Sequence, residues 1–150
     1  MKIFVDADAC PVKEEILQAA GEHHLPVIFV ASYNHLANPS LGGEWVYVDT
    51  GREAADLYIA NHTSSGDLVV TQDIGLAGLL LRKNVTIITP RGKQYTESNI
   101  DSALQYRYLA AKERSLGNHS KGPKKLTDKD KMNFITVLKK ILSNYEGFPL

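Results

Sequence analysis

Four aspartates stand where a chain could assemble a cation site: Asp6 and Asp8 near the N-terminus, Asp56 further on, and Asp73 after it. Carboxylates brought together repel and raise one another's pKa unless protons or a cation offset the charge. Mg²⁺ and Mn²⁺ take oxygen ligands and keep several waters, so a few converging Asp residues suit them better than Zn²⁺, which favours His or Cys. Asp6 and Asp8 are two apart, and they share a face if the first strand runs on to Asp8. Asp56 lies between Ala55 and Leu57 in a helical stretch, where an uncompensated carboxylate is expensive to bury. The simpler alternative is that each Asp caps a helix or closes a turn. Asp49, before Thr50-Gly51, reads as such a turn residue, and Asp73 precedes a helical run.

Other residues offer less. Arg91-Gly92-Lys93 follows a strand and presents two cations that could contact a phosphate. Lys121, Lys124 and Lys125 form a basic loop that a nucleic-acid backbone could use, although loop lysines are usually just solvated. Cys10-Pro11 opens a helix, which could lower a thiol pKa, but packing or capping suits Cys10 better. His23, His24, His35, His62 and His119 show no paired metal-ligand spacing. Gly42-Gly43 and Gly75-x-x-Gly78 lack the Gly-Lys-Ser/Thr of a phosphate loop.

The elements that must position these residues follow from the apolar runs. Ile3–Val5, Pro26–Val30, Trp45–Val48, Asp67–Thr71 and Val85–Ile88 read as strands. Helices are expected over 11–20, 52–61 and 74–82, with Pro11 in the first turn and Gly21 just past the first helix. Near-continuous Val/Ile strands alternating with helices of about ten residues indicate a parallel sheet covered on both faces. The fold class predicted is α/β, a doubly wound three-layer sandwich with a mainly parallel five-stranded sheet plus C-terminal helices. The C-terminal helical part spans about 96–145: one helix over 97–114, then a Gly/Lys-rich loop. A last helix follows, with Thr127 as N-cap and Phe134, Ile135, Leu138, Ile141 and Leu142 at helical spacing. In such a sheet ligands bind outside the carboxyl ends of the strands, where strand order reverses. Aspartates sit on or just after three of the five strand exits.

The chain of 150 residues is read as a single domain, 1–150, large enough to bury a core without staples. The one cysteine excludes an internal disulfide and suits a reducing compartment. The N-terminus opens directly into a strand-like segment rather than a signal peptide, and no apolar run approaches a membrane span. A cytoplasmic protein with no membrane partner is therefore expected. Net charge is zero, yet residues 1–90 hold 11 acids against 5 Lys/Arg and residues 91–150 hold 6 against 12. An acidic half and a basic half fit a metal site beside a polyanion-binding surface, or two faces that merely solvate themselves.

The segment from Asp6 to Lys13, Asp-Ala-Asp-Ala-Cys-Pro-Val-Lys, resembles the opening signature of the YaiI/YqxD family of bacterial proteins. The likeness continues through Gly51-x-x-Ala54-Ala55-Asp56 and Gly66-Asp67-Leu68-Val69-Val70-Thr71-x-Asp73-Ile74. It then takes in Pro90-Arg91-Gly92 with Tyr95, Asn99-Ile100, Arg107, Arg114, Gly122-Pro123 and the helix containing Phe134. Gly75 stands where the family pattern has a proline, and Asn118 to Lys121 replace a more glycine-rich run. The family is similar to the PIN-like nuclease fold, in which acids at the ends of parallel strands bind Mg²⁺ or Mn²⁺ and cut phosphodiesters, usually in RNA.

The resemblance implies that Asp6, Asp8, Asp56 and Asp73 form the acidic, metal-holding and catalytic set. It implies a metal-dependent nuclease acting on RNA, with DNA as the other substrate. Arg91 and Lys93 are expected to hold the phosphate, and Thr71 and Asn99 to hydrogen-bond ligands or substrate. Two other readings stay open. A haloacid-dehalogenase-like phosphatase also uses Asp-x-Asp after its first strand, but Ala9 and Cys10 stand where it needs a hydroxyl. A non-catalytic metal- or RNA-binding regulatory module needs no turnover. The oligomeric state is left open, a homo-oligomer included.

Overall fold

The computed structural model describes residues 1–33, 41–51, 53–117 and 125–146. Expectations for Arg52, His35, His119, Lys121, Lys124 and most of the Ser32–Gly43 and Gly117–Lys125 loops fall outside these.

The apolar runs become strands β1 (Ile3–Asp6), β2 (Val27–Ser32), β3 (Glu44–Val48), β4 (Leu68–Val70) and β5 (Thr86–Ile88). A sixth, β6 (Gln94–Tyr95), was not expected. The sheet order is β3-β2-β1-β4-β5-β6, parallel throughout except for antiparallel β6. Five strands are therefore corrected to six. Two residues are too short to show a period-2 pattern. The β5–β6 turn depends on Gly92 at φ +88°, a conformation glycine adopts without Cβ strain.

Five helices cover the sheet: α1 (Lys13–Glu22), α2 (Ala54–His62), α3 (Ile74–Leu81), α4 (Ile100–Ser115) and α5 (Asp128–Glu146). Alternate strand residues point to opposite faces. Ile3 and Val5 join Phe29 and Val70 beneath α1 and α5, which contribute Ile16, Phe134, Leu138 and Leu142. Phe4, Val30, Val69 and Ile87 face the other way, toward α2, α3 and the start of α4. The strands are hydrophobic on both sides because both sides are covered.

Both ends of α1 differ from expectation. Pro11 precedes α1, and Gly21 lies inside it. The left-handed residue that ends the helix is His24, at φ 55°. Its amide donates to Gly21 O at 3.3 Å, and that of Leu25 to Ala20 O at 3.0 Å, a Schellman pattern with histidine in the usual glycine position. Thr127 and Asp130 do behave as the sequence suggests. Asp130 N donates to Thr127 Oγ1 (3.1 Å) and Thr127 N to Asp130 Oδ2 (3.0 Å), a reciprocal cap on α5. Those bonds, chiefly the Thr127 amide, and the nearby Arg91 hold the Asp130 carboxyl below its usual range.

Candidate acidic site at the sheet edge

Strand order reverses at β1, with β2 and β3 on one side and β4 and β5 on the other. The crevice beyond the carboxyl ends of β1 and β4 is thus the place where such a sheet receives ligands. Asp6 is the last residue of β1, and Val5 pairs with Val70, so the exits of β1 and β4 are adjacent. Thr71, only 1% exposed, joins them. Its Oγ1 donates to Asp6 Oδ2 at 3.0 Å and accepts the Asp73 amide at 2.9 Å. One buried hydroxyl therefore fixes both aspartates.

Asp73 is also a helix cap, as the simpler alternative held. Its Oδ1 accepts the Leu76 amide at 3.1 Å at the start of α3. Capping and a site role are compatible, since a carboxylate has two oxygens and several lone pairs. Asp56 arrives from the first turn of α2, which crosses back from β3 to lie beside α3 and β1. Partial burial, a side-chain hydrogen bond with Asp73, and the charges of Asp73, Asp6 and Glu53 raise its pKa to about 7. Two carboxyls joined by a hydrogen bond need one proton between them. Burial also raises the Asp6 pKa, against the lowering effect of Thr71, with Asp73 and Asp8 adding to the rise.

Asp8 is placed differently. β1 stops at Asp6 and Ala7–Ala9 form a 3-10 turn, so Asp6 and Asp8 do not share a strand face. The Asp8 carboxylate accepts the Ser32 amide at the end of β2 on both oxygens, at 3.1 and 3.2 Å. It stays near enough to Asp6 for its charge to act there. Asp49 is exposed beyond β3, two strands from β1. Among the described residues, no three His, Cys, Asp or Glu side chains close into a ready-made metal cage.

The residues expected to contact substrate each have a partner within the chain. Asn99 Oδ1 accepts the Thr96 amide at 2.9 Å, and Nδ2 donates to Gln94 O at 3.0 Å. Its amide group ties β6 to the start of α4 at the far side of the sheet. Lys93 lies on the same hairpin, its Nζ 5.4 Å from the centre of the Tyr95 ring. Arg91 pairs with Asp130, and its carbonyl accepts Asn133 Nδ2 at 2.8 Å, so it anchors α5. Arg91 does line a cavity of about 400 Å³ with Asp8, Cys10 and Gln72. Burial pushes the Cys10 thiol up to about 11, and such a thiol is inert as a nucleophile near neutrality.

A larger cavity, about 840 Å³, opens between α2, α3 and α4. It holds Asp56 and Asp73 together with Glu53, Arg107 and Arg114. Arg107 Nη1 lies 3.6 Å from Asp73 Oδ1. The sequence reading gave these arginines no part in a site. Their signal was the seven-residue spacing, which places both on one face of α4.

Thr71→Val keeps the shape but removes both hydroxyl bonds. Unfolding in urea is expected to show a loss of about 1–3 kcal/mol, because a carboxylate and an amide lose a buried partner. A loss below about 0.5 kcal/mol would show that the hydroxyl does not join the two strand exits.

A parallel sheet whose switch point carries hydrogen-bonded aspartates defines an α/β protein with an acid-lined sheet edge. The family model described as "Uncharacterized BCR, YaiI/YqxD family" matches residues 4–144, and the chain belongs to that family. It is 60% identical over 146 residues to a UPF0178 protein of Bacillus velezensis, covering 97% of this chain and 87% of the relative. A UPF0178 protein of Bacillus pumilus is 53% identical over 147 residues, covering 97% and 89%. One from Listeria innocua is 50% identical over 133 residues, covering 89% and 91%. The names of these relatives state no activity. No solved structure matches the chain. Among the described residues, no helix is long and apolar enough to cross a membrane.

Proposed function

We propose that the protein is a metal-dependent phosphodiesterase acting on RNA, with a doubly wound, PIN-like arrangement of its acids. The observation that carries this reading is the Thr71-linked pair Asp6 and Asp73, with Asp56 beside them and its pKa raised to about 7 by burial and their charges. Carboxylates partly buried and gathered within reach of one another's charge suit a cation. Mg²⁺ is usually bound through one or two carboxylates plus waters and substrate phosphate, rather than by an all-protein cage. The donor set here fits that mode and lacks the His and Cys of a zinc site.

Asp6 and Asp73 would hold Mg²⁺ or Mn²⁺ directly. Asp56, relieved of its proton when the cation binds, would accept the proton of an attacking water. Asp8, held at Ser32, would complete the acidic rim. The bound cation would supply a water of lowered pKa and neutralise charge on the phosphate. Thr71 keeps Asp6 and Asp73 at fixed separation throughout.

The test is cleavage of end-labelled RNA and single-stranded DNA by the full chain in Mn²⁺, Mg²⁺ and EDTA. Cleavage that needs the cation and falls at least about a hundredfold in Asp6→Asn is expected, since a lost metal ligand removes several kcal/mol of transition-state stabilisation. Absence of cleavage in all conditions, or equal cleavage by Asp6→Asn, would overturn the reading. Metal-dependent RNA binding without turnover would replace it with a regulatory module.

A further inference from the structure

The groove between α2, α3 and α4 is more than a vestibule to the acids. Its floor is acidic, with Asp56 and Asp73, while its α4 wall carries Arg107 and Arg114 with Ala111 between them. On a helix, positions seven apart lie on one face and about 10.5 Å apart along the axis. From Leu104 onward α4 stands largely exposed, so burial does not dictate which residues face the groove. Among the described residues Arg114 has no ion-pair partner. Arg107 reaches over the start of α3 because Gly75 leaves room. A Cβ there would come within 3.1 Å of Arg107 Nη1 and 3.2 Å of Asp73 Oδ1. The rim is apolar, with Leu57 and Leu79 57% and 59% exposed.

We propose that this groove is the track of a single-stranded polynucleotide, with Arg107 and Arg114 gripping its backbone and Arg107 presenting a phosphate to the aspartates. The proposal rests on the reading of those aspartates as a phosphodiester-cleaving site. Arginine is the side chain whose planar fork matches phosphate oxygens, and an acidic floor repels an anion unless cations stand beside it. Leu57 and Leu79 offer apolar surface to base faces, which a single strand exposes and a duplex hides. Arg91 and Lys93 are replaced in this role. Arg91 is committed to α5 and Lys93 sits over Tyr95 on the edge hairpin.

Fluorescence anisotropy of a labelled short oligouridylate, titrated with the full chain in EDTA across a salt series, tests this without turnover. Arg107→Ala/Arg114→Ala is expected to weaken binding about tenfold or more and to flatten the log–log salt slope by about 1.4, two contacts at about 0.7 each. Arg107→Lys/Arg114→Lys is expected to keep the slope, since the charges remain. Lys139→Ala/Lys140→Ala, on α5 across the sheet, is expected to change neither. A duplex should compete about tenfold less well than the single strand. Binding by the double alanine variant equal to wild type, or equal competition by duplex, would overturn the proposal. Both arginines are exposed, and a thermal melt checks that the variants stay folded. If RNA is cut equally by wild type and the double alanine variant, the groove fails and the nuclease reading stands. If nothing is cut but EDTA binding depends on the arginines, the nuclease reading fails and the groove stands.

Discussion

Lowering the pH from 7 to 5 is expected to weaken Mn²⁺ binding about fiftyfold, and Asp56→Asn is expected to lose most of that dependence. Carboxylates bind metal in their deprotonated form, so a group that must shed a proton costs about tenfold in affinity for each pH unit below its pKa. Asp56 carries that proton up to about 7 because of burial, its hydrogen bond to Asp73 and the charges around it. While the proton bridges the two carboxyls, Asp73 is not free to take a cation. Asp6, raised mainly by burial, acts in the same direction.

The same shift governs the metal-free protein. A folded pKa above the ordinary value of 3.8 means the native state binds more protons than the unfolded chain. The stabilisation is therefore complete below the unfolded pKa and is lost as pH rises through about 7. The melting temperature in EDTA is expected to fall over that interval, and saturating Mn²⁺ to restore it at the upper end. Calorimetric titration of Mn²⁺ at pH 5 and 7 checks the first expectation. Equal affinities at the two pH values would remove the shared proton from the account.

Phe134→Ala is expected to cost about 3–5 kcal/mol, the largest stability effect of any single truncation proposed here. Phe134 is fully buried among Ile3, Val5, Phe29 and Val70, and Leu138 and Leu142 follow it along the same face of α5. Helix α5 thus belongs to the core beneath β1 and β4, the two strands that carry the aspartates. Its entry is fixed by Arg91 on Asp130 and by close approach to the β5–β6 turn. A Cβ on Gly92 would come within 3.1 Å of the backbone of Asn133 and Phe134. Equilibrium urea unfolding measures the loss. A value below about 1 kcal/mol would make α5 an appendage rather than a core layer.

What the sequence displayed was what is written in short-range pattern. Apolar runs ending in Asp marked the strand exits, and Phe134-x-x-x-Leu138-x-x-x-Leu142 marked a buried helix face. What it concealed was set by tertiary order. Asp49 read as a turn residue and Asp56 as a site acid, but their positions in space were not written in the sequence. The placement of β3 at the edge and the return of α2 toward β1 set how far each lies from Asp6. The 3-10 turn that carries Asp8 away from the Asp6 face follows no periodicity, and the backbone partners of Asn99 are set by the turn before α4. Arg107 and Arg114 were visible as a spaced pair, but which neighbour they face depends on how α4 leans against α3.

The most direct test is the anomalous map of a crystal soaked in Mn²⁺ above pH 7. A peak about 2 Å from carboxylate oxygens of both Asp6 and Asp73 is the predicted result. A peak touching neither, or no peak at saturating Mn²⁺, would contradict it.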